Sequence, residues 1–224
     1  MFTLSIETSG RAGSIALLND GRLLEEVELA ASGRRHARTL VPEIGRLVQQ
    51  HGLSPRQIGL LAVSLGPGSF TGLRVGIVCA KTFAYAIGCP LIGIDTFLAV
   101  AAAQEQSDHV WVIDDALRGD VCAGEYVRRH GTWTPRTLPQ LLSAEDWHAQ
   151  LDPQIPVSGP GVDRFVDLLA GHPLMDVSLR HPRAEIVARQ GRDLFLSGRV
   201  SDPWTLEPFY MRRSAAEEKA DSTS

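Results

Sequence analysis

The residues best suited to chemistry form one glycine-rich segment in the first half of the chain. It reads Gly66-Pro67-Gly68-Ser69-Phe70-Thr71-Gly72-Leu73-Arg74-Val75-Gly76 and lies between a predicted buried strand at 58–65 and a predicted apolar helix at 73–87. Glycines in this position let the backbone approach a ligand closely, and a helix N-terminus favours an anion. The segment lacks the Gly-Lys of a Walker loop, and Thr71 stands where the Rossmann pattern requires glycine. The spacing alone therefore favours a tight structural turn over a phosphate loop.

A second polar turn, Glu7-Thr8-Ser9-Gly10, follows the first predicted strand. The hydroxyls of Thr8 and Ser9, together with the backbone at Gly66 and Gly68, are candidates for holding the phosphates of a nucleotide. Hydroxyls in such turns more often hydrogen-bond the backbone of their own turn. The sequence leaves open whether these four residues bind a nucleotide or only preserve an ancestral turn.

Other chemistry-bearing residues give weaker indications. None of the seven histidines has another histidine four residues away, so no helical histidine pair can hold a metal. Asp114, Asp115 and Asp120 have the side chains for magnesium binding or acid–base work, but adjacent strand residues point to opposite faces, which favours a turn. No serine stands in a GxSxG context, so a hydrolase nucleophile is not indicated. The sequence predicts no catalytic and no metal-binding residue.

The composition is that of a soluble globular protein. Hydrophobic residues make up 44% and charged residues 21% of the 224 residues, and the net charge is −4, which argues against a free-standing nucleic-acid binder. Three cysteines without CxxC spacing argue against a disulfide framework and a zinc knuckle. The sequence shows no signal peptide and no 18-residue apolar run that would span a bilayer. We therefore expect a reduced, cytoplasmic protein.

The predicted elements begin as consecutive strands and then alternate between helix and strand. Strands at 2–7, 13–18 and 22–29 form an antiparallel meander, with a hairpin signal at Asn19-Asp20-Gly21. The meander is followed by a helix at 36–50, by the strand and helix that flank the glycine-rich segment, and then by a strand at 91–94 and a helix at 96–104. In the second half, the pattern predicts strands at 109–114, 120–127 and 155–158, a loop at 135–139, and helices at 144–151, 163–170 and 184–197. We predict an N-terminal lobe at 1–105, a smaller C-terminal lobe at 106–213 and a disordered tail at 214–224.

Several segments in this order resemble the TsaB family. They are Ile6-Glu7-Thr8-Ser9-Gly10, the long glycine-rich segment, Asp115-Ala116-Leu117-Arg118-Gly119-Asp120-Val121 and Glu207-Pro208-Phe209-Tyr210-Met211-Arg212. The resemblance covers essentially the whole chain to Arg213. It implies an α/β fold of the actin-like, Hsp70-like ATPase (ASKHA) class, with two ribonuclease-H-like lobes of which the second is reduced.

The resemblance also implies a role in tRNA modification. TsaB is the dimerisation subunit that pairs with the catalytic paralogue TsaD. With the ATPase TsaE, the pair supports transfer of threonylcarbamoyl to N6 of an adenosine in tRNA. This adenosine is at position 37, beside the anticodon, in tRNAs that read codons beginning with adenine. The paralogue carries an HxxxH metal pair where Thr96 and Val100 stand here. Threonine and valine cannot replace two imidazoles on a metal. The resemblance thus implies a non-catalytic subunit that has no cofactor of its own and meets ATP or ADP and tRNA only through the complex.

In the family, two helices of the first lobe pack against the same two helices of the partner as a four-helix bundle. Here these are the helices at 36–50 and 73–87, and the second is apolar nearly all round. Replacing Leu40 and Ile44 with charged residues is expected to abolish pairing with the partner while the isolated chain stays folded. Two alternatives stay open, namely a peptidase-like or kinase-like enzyme and a metal-independent homodimeric nucleotide-binding module. The predicted interface residues are His36, Leu40, Ile44, Leu47, Arg74, Lys81 and Tyr85.

Overall fold

The first sheet joins the predicted meander to two parallel strands. The structure, a computed structural model, describes residues 1–10, 12–29 and 36–212. The strands are β1 (Phe2–Glu7), β2 (Ser14–Asn19), β3 (Arg22–Glu28), β4 (Ile58–Gly66) and β5 (Leu91–Asp95), in the order β3-β2-β1-β4-β5. β1, β2 and β3 pair antiparallel, whereas β4 runs parallel to β1 and β5 parallel to β4. The hairpin signal is confirmed, because Asp20 and Gly21 have φ angles of 49° and 83° between β2 and β3.

The helices that alternate with these strands in the chain are α1 (His36–Gln50), α2 (Phe70–Ile87) and α3 (Thr96–Ala102). The apolar sides of α1 and α2 meet the strands in one core, which includes Leu4 and Ile6 of β1 with Leu47 of α1 and Leu73 of α2. Ser69 caps α2, since its hydroxyl accepts a hydrogen bond from the Gly72 amide at 3.2 Å. Gly88 ends α2 with a φ of 72°, a conformation that glycine adopts at low cost.

The second sheet is smaller and mostly antiparallel. It contains β6 (His109–Asp115), β7 (Asp120–Arg129), β8 (Thr132–Ser143) and β9 (Val157–Ser158), in the order β8-β7-β6-β9. Short helix α4 (Ala144–His148) follows β8, and Trp147 of α4 lies buried against Trp111 of β6. Within the described residues, short 3₁₀ turns occur at Pro55–Gln57, Val162–Arg164 and Val177–Leu179.

The last helix, α5 (Ala184–Leu196), lies on the first sheet although it follows the second in sequence. The Ser5 hydroxyl of β1 donates to the Ala184 carbonyl at 2.6 Å. Gly191 lies so close to β4 that an added Cβ would stand 2.6 Å from that of Ala62. α5 therefore belongs to the first sheet, whereas the sequence-based division places its residues with the second half. The boundary near residue 105 stays a prediction, and the predicted tail at 214–224 lies outside the described residues.

Two predicted elements of the second half are wrong. The expected loop at 135–139 lies inside β8, which contains Pro135 and Pro139. β8 is an edge strand, where a missing proline N–H removes no bond from the interior of the sheet. The helix expected at 163–170 is reduced to the 3₁₀ turn Val162–Arg164.

Candidate functional site

The glycine-rich segment is seated on the end of β1. A Cβ added to Gly72 would lie 2.0 Å from the Thr8 carbonyl oxygen, and one added to Gly76 would lie 2.2 Å from the Thr8 hydroxyl oxygen. A Cβ at Gly68 would lie 2.7 Å from Ser9, whose carbonyl accepts a hydrogen bond from the Ser69 amide at 2.7 Å. These three glycines therefore let α2 approach the turn after β1 at backbone distance.

Gly66, the remaining glycine of the motif, lies against a later part of the chain. Gly66 has a φ of 113°, and a Cβ there would lie 2.5 Å from the Phe209 carbonyl oxygen. The Phe209 amide donates to the Leu65 carbonyl at 2.7 Å, and the Ser201 amide donates to the Leu91 carbonyl at 2.9 Å, so residues 201–212 lead from the start of β5 to the end of β4. We call these residues the C-terminal segment. Gly66 thus makes room for this segment.

The predicted phosphate-binding hydroxyls are used within the chain. Thr8 and Ser9 are buried; the Thr8 hydroxyl donates to the Gly72 carbonyl at 2.8 Å, and the Ser9 hydroxyl donates to the Glu7 carboxylate. Glu7 is itself fully buried, and burial raises the pKa of its carboxyl group. The Thr8 and Ser9 hydroxyls are therefore used in hydrogen bonds within the chain, and the space at Gly66 is taken by Phe209. Nucleotide binding at these positions stays a prediction. Gly68 also lines a cleft.

That cleft, of about 510 Å³, opens between the start of α2, the turn after β6 and residues 210–212 of the C-terminal segment. The aspartates singled out in the sequence lie at this turn, where the Ala116 amide donates to the Asp120 carbonyl at 3.1 Å. Asp120 forms an ion pair with Arg212 of the C-terminal segment. Asp114 lines the cleft, and burial raises the pKa of its carboxyl group to about 6.

The raised pKa of Asp114 predicts a pH-dependent stability. The folded chain holds this proton more tightly than the unfolded chain, whose aspartate has an ordinary pKa of 3.8. The stabilisation is therefore complete below about pH 4 and is lost as the pH rises to about 6. Asp114→Asn is expected to raise the free energy of unfolding at pH 7 by about 2–3 kcal/mol, with little difference at pH 4. Urea unfolding of both proteins at the two pH values measures this, and a pH-independent difference would contradict it.

Three predicted interface residues on α1 lie in the core. Leu40, Ile44 and Leu47 are all buried against the first sheet and α2. They follow the helical period, but that stripe faces the sheet of their own chain. A charge at Leu40 or Ile44 would have to enter this core, so we expect such a variant to lose stability rather than to stay folded. The side chain of His36, at the first residue of α1, lies outside the described residues.

Three predicted interface residues on α2 contact the C-terminal segment of their own chain. Arg74 Nε donates to the Tyr210 hydroxyl at 2.8 Å, and Lys81 Nζ donates to the Leu206 carbonyl at 3.2 Å. The Tyr85 ring meets the Trp204 ring edge to face, with centroids 5.8 Å apart. Sequence reasoning missed these contacts because they join positions more than 100 residues apart.

The groove between α1 and α2 exposes apolar residues that are not among the seven predicted interface residues. Val41 is 63% exposed and Val78 62% exposed. Both line a groove of about 650 Å³, together with Val75, Cys79 and Phe83. Periodicity could have marked Val78, since α2 is apolar nearly all round, but Val41 lies beside the apolar stripe of α1. We call the exposed surface around this groove the α1–α2 face.

The same apolar excess gives α2 the composition of a membrane span. Among the described parts of the chain, α2 is the one helix long and apolar enough to cross a membrane, with a mean hydropathy of 1.3 over 18 residues. It reaches this value although Arg74 and Lys81 interrupt its apolar residues. Only 33% of its residues are buried, and the buried ones include Leu73 and Ile77, which face the core of the first lobe. One wall of the α1–α2 face is formed by the α2 side chains Val75, Val78, Cys79, Phe83 and Ala86.

The positions of the paralogue's metal pair are internal in this chain. The Thr96 hydroxyl, at the start of α3, accepts a hydrogen bond from the Gly66 amide at 3.0 Å. Val100, one helical turn later, is fully buried in the core beside the second sheet. Thr96 offers a hydroxyl that is already hydrogen-bonded, and Val100 offers only a hydrocarbon side chain. These two side chains do not suit a transition metal.

Comparison with known proteins gives consistent matches over most of the chain. Residues 28–165 match the sequence model of TsaD, tRNA N6-adenosine threonylcarbamoyltransferase. The chain is 31% identical to the tRNA threonylcarbamoyladenosine biosynthesis protein TsaB of Escherichia coli, covering 98% of each chain. It is 28% identical to the TsaB protein of Bacillus subtilis, covering 98% of this chain and 97% of the relative. The structure of YeaZ from Pseudomonas aeruginosa superposes with a TM-score of 0.83 at 25% identity, covering 93% of this chain and 99% of YeaZ.

Proposed function

Because the chain belongs to the TsaB family of tRNA threonylcarbamoyladenosine biosynthesis proteins, we propose that it is the non-catalytic subunit that pairs with a TsaD-type transferase and activates it. The predicted family, its role in this pathway and the actin-like fold are confirmed. In the proposed role the pair acts in the cytoplasm with a TsaE-type ATPase. Threonylcarbamoyl is transferred to N6 of the adenosine at position 37 in tRNAs that read codons beginning with adenine. ATP or ADP and the tRNA are bound by the assembled complex rather than by this chain on its own.

The observation that carries this proposal is the uncovered α1–α2 face. Val41 and Val78 leave more than half of their surface in water beside a groove of about 650 Å³. Monomeric proteins rarely leave contiguous apolar surface of this kind without a partner. The match to the TsaD sequence model spans both α1 and α2, so a TsaD-type paralogue has corresponding helices. Two such helix pairs can pack as a four-helix bundle.

The side chains at the paralogue's metal positions support the non-catalytic part of the proposal. A histidine at Thr96 would lose the hydrogen bond to the Gly66 amide and would have to fit where a hydroxyl is now bonded. A histidine at Val100 would place a polar ring among buried apolar groups. The chain therefore acts on the transferase by pairing, which holds the catalytic subunit in a competent conformation.

Threonylcarbamoylation is expected to require both chains. Incorporation of labelled threonine into unmodified tRNA is measured with ATP and bicarbonate, and with the synthase and ATPase components supplied throughout. Three mixtures are compared, containing this chain alone, the TsaD-type paralogue alone, or both. We expect incorporation well above background only in the third mixture, because the paralogue holds the catalytic metal site and this chain supplies the activating contact.

The two single-chain mixtures decide between the proposal and its alternatives. Incorporation by this chain alone would overturn the non-catalytic assignment. Full incorporation by the paralogue alone would overturn the activating role. A matched control adds heat-denatured chain to the paralogue, so that a stimulation by added protein in general is separated from a stimulation by the folded subunit.

A further inference from the structure

Two large aromatic side chains stand exposed beside the α1–α2 face. Tyr85, near the end of α2, is 74% exposed, and Trp204, in the C-terminal segment, is 77% exposed. Their rings contact each other edge to face. Tryptophan and tyrosine contribute strongly to protein interfaces because each buries a large apolar area and keeps one polar group at the rim.

The chain around Trp204 is held in place. The Asp202 carboxylate accepts hydrogen bonds from the Trp204 amide at 3.0 Å and from the Thr205 hydroxyl at 3.2 Å. The Leu206 carbonyl accepts the bond from Lys81, and the Leu206 side chain packs against the core of the first lobe. An aromatic group positioned before binding loses little conformational freedom when a partner covers it.

The aromatic pair extends the α1–α2 face. A hollow of about 210 Å³ lies between the C-terminal segment and α2. Thr82 lines both this hollow and the groove that contains Val41 and Val78. The groove and the hollow therefore adjoin at Thr82, and together they extend from α1, across α2, to Trp204.

We infer that Trp204 anchors the partner interface and that the TsaD-type paralogue occupies the hollow beside it, an inference that rests on the proposed function. The charges of the two helices favour this occupant over a second copy of the chain. α1 and α2 contain one carboxylate, Glu43, which pairs with Arg46 at 2.7 Å. Their remaining basic residues are Arg38, Arg74 and Lys81. Two copies joined face to face would bring these cations together, whereas a different chain can place carboxylates opposite them.

Trp204→Ala is expected to weaken binding of the full-length paralogue at least about tenfold, since it removes a fixed aromatic anchor. Isothermal titration calorimetry on the two full-length chains measures the dissociation constant. Leu138→Ala is the matched control, because Leu138 is 67% exposed on the edge strand β8. Trp204→Phe is expected to keep most of the affinity. Unchanged thermal unfolding of each variant shows that the effect is on binding rather than on folding.

The possible outcomes separate this inference from the proposed function. Equal binding by the wild-type chain and Trp204→Ala would overturn the anchor and leave the proposed pairing intact. A wild-type chain that does not bind the paralogue would overturn both. Self-association of the wild-type chain in sedimentation, lost in Trp204→Ala and unaffected by the paralogue, would show that a second copy occupies the surface and overturn the assigned occupant.

Discussion

A chain carrying both Val41→Asp and Val78→Asp is expected to fold normally and to lose pairing with the TsaD-type paralogue. Each valine is more than 60% exposed, and surface substitutions of this kind usually change the free energy of unfolding by about 0.5 kcal/mol or less. In the pair, both carboxylates would lose their water between apolar helices, and Arg74, the cation that lines this groove, already donates to the Tyr210 hydroxyl. Burying an unpaired charge costs several kcal/mol, so the dissociation constant is expected to rise more than about 100-fold.

The same variant is expected to abolish the threonylcarbamoylation that depends on both chains. Calorimetry gives the affinity, and the threonine incorporation assay gives the activity. Val177→Asp is the matched control, because Val177 is 63% exposed in a 3₁₀ turn outside the α1–α2 face. Wild-type affinity in the double variant would contradict the assignment of this face. Charges at Leu40 and Ile44 cannot serve the same purpose, since those side chains are buried in the core.

Gly72→Ala is expected to destabilise the chain by about 3 kcal/mol or more, although alanine is the better helix former. The added Cβ would lie 2.0 Å from the Thr8 carbonyl oxygen, and neither backbone can move without separating α2 from β1. The shift would also break the hydrogen bond from the Thr8 hydroxyl to the Gly72 carbonyl. For a chain of this length the melting temperature should fall by roughly 6–12 °C.

Gly45→Ala provides the control for this prediction. Gly45 is an exposed residue inside α1, and a Cβ there would meet no atom within 4 Å. Alanine at this position is expected to stabilise the chain by about 0.5–1 kcal/mol through helix propensity alone. Calorimetric unfolding of both variants measures the difference. Equal stability of Gly72→Ala and the wild-type chain would show that the glycine-rich segment is not required for packing, and would restore a ligand as the reason for its composition.

Much of the fold follows from local patterns in the sequence. The alternation in β1, the turn at Asp20-Gly21, and the apolar period of α1 specify these elements because each depends on neighbours within a few residues. The glycine-rich segment marks a close approach, since only glycine tolerates it at several positions in one stretch. The resemblance of these segments to the TsaB family was sufficient to predict the fold class and the pathway.

The sequence could not determine what each surface touches. The stripe containing Leu40 and Leu47 predicts a buried face, but whether the sheet or a partner covers it depends on how α1 sits on the first lobe. The C-terminal segment contacts α2 through Arg74, Lys81 and Tyr85, which are more than 100 residues away in the chain.

The tertiary structure therefore decided the candidate site. It placed the Thr8 and Ser9 hydroxyls in hydrogen bonds within the chain, and it left Val41 and Val78 exposed between α1 and α2. The physical reason is that periodicity reports only the preference of a side chain for water or for an apolar environment. The atoms that supply this environment are fixed by contacts between distant parts of the chain, and these contacts exist only once the sheets, helices and C-terminal segment are assembled.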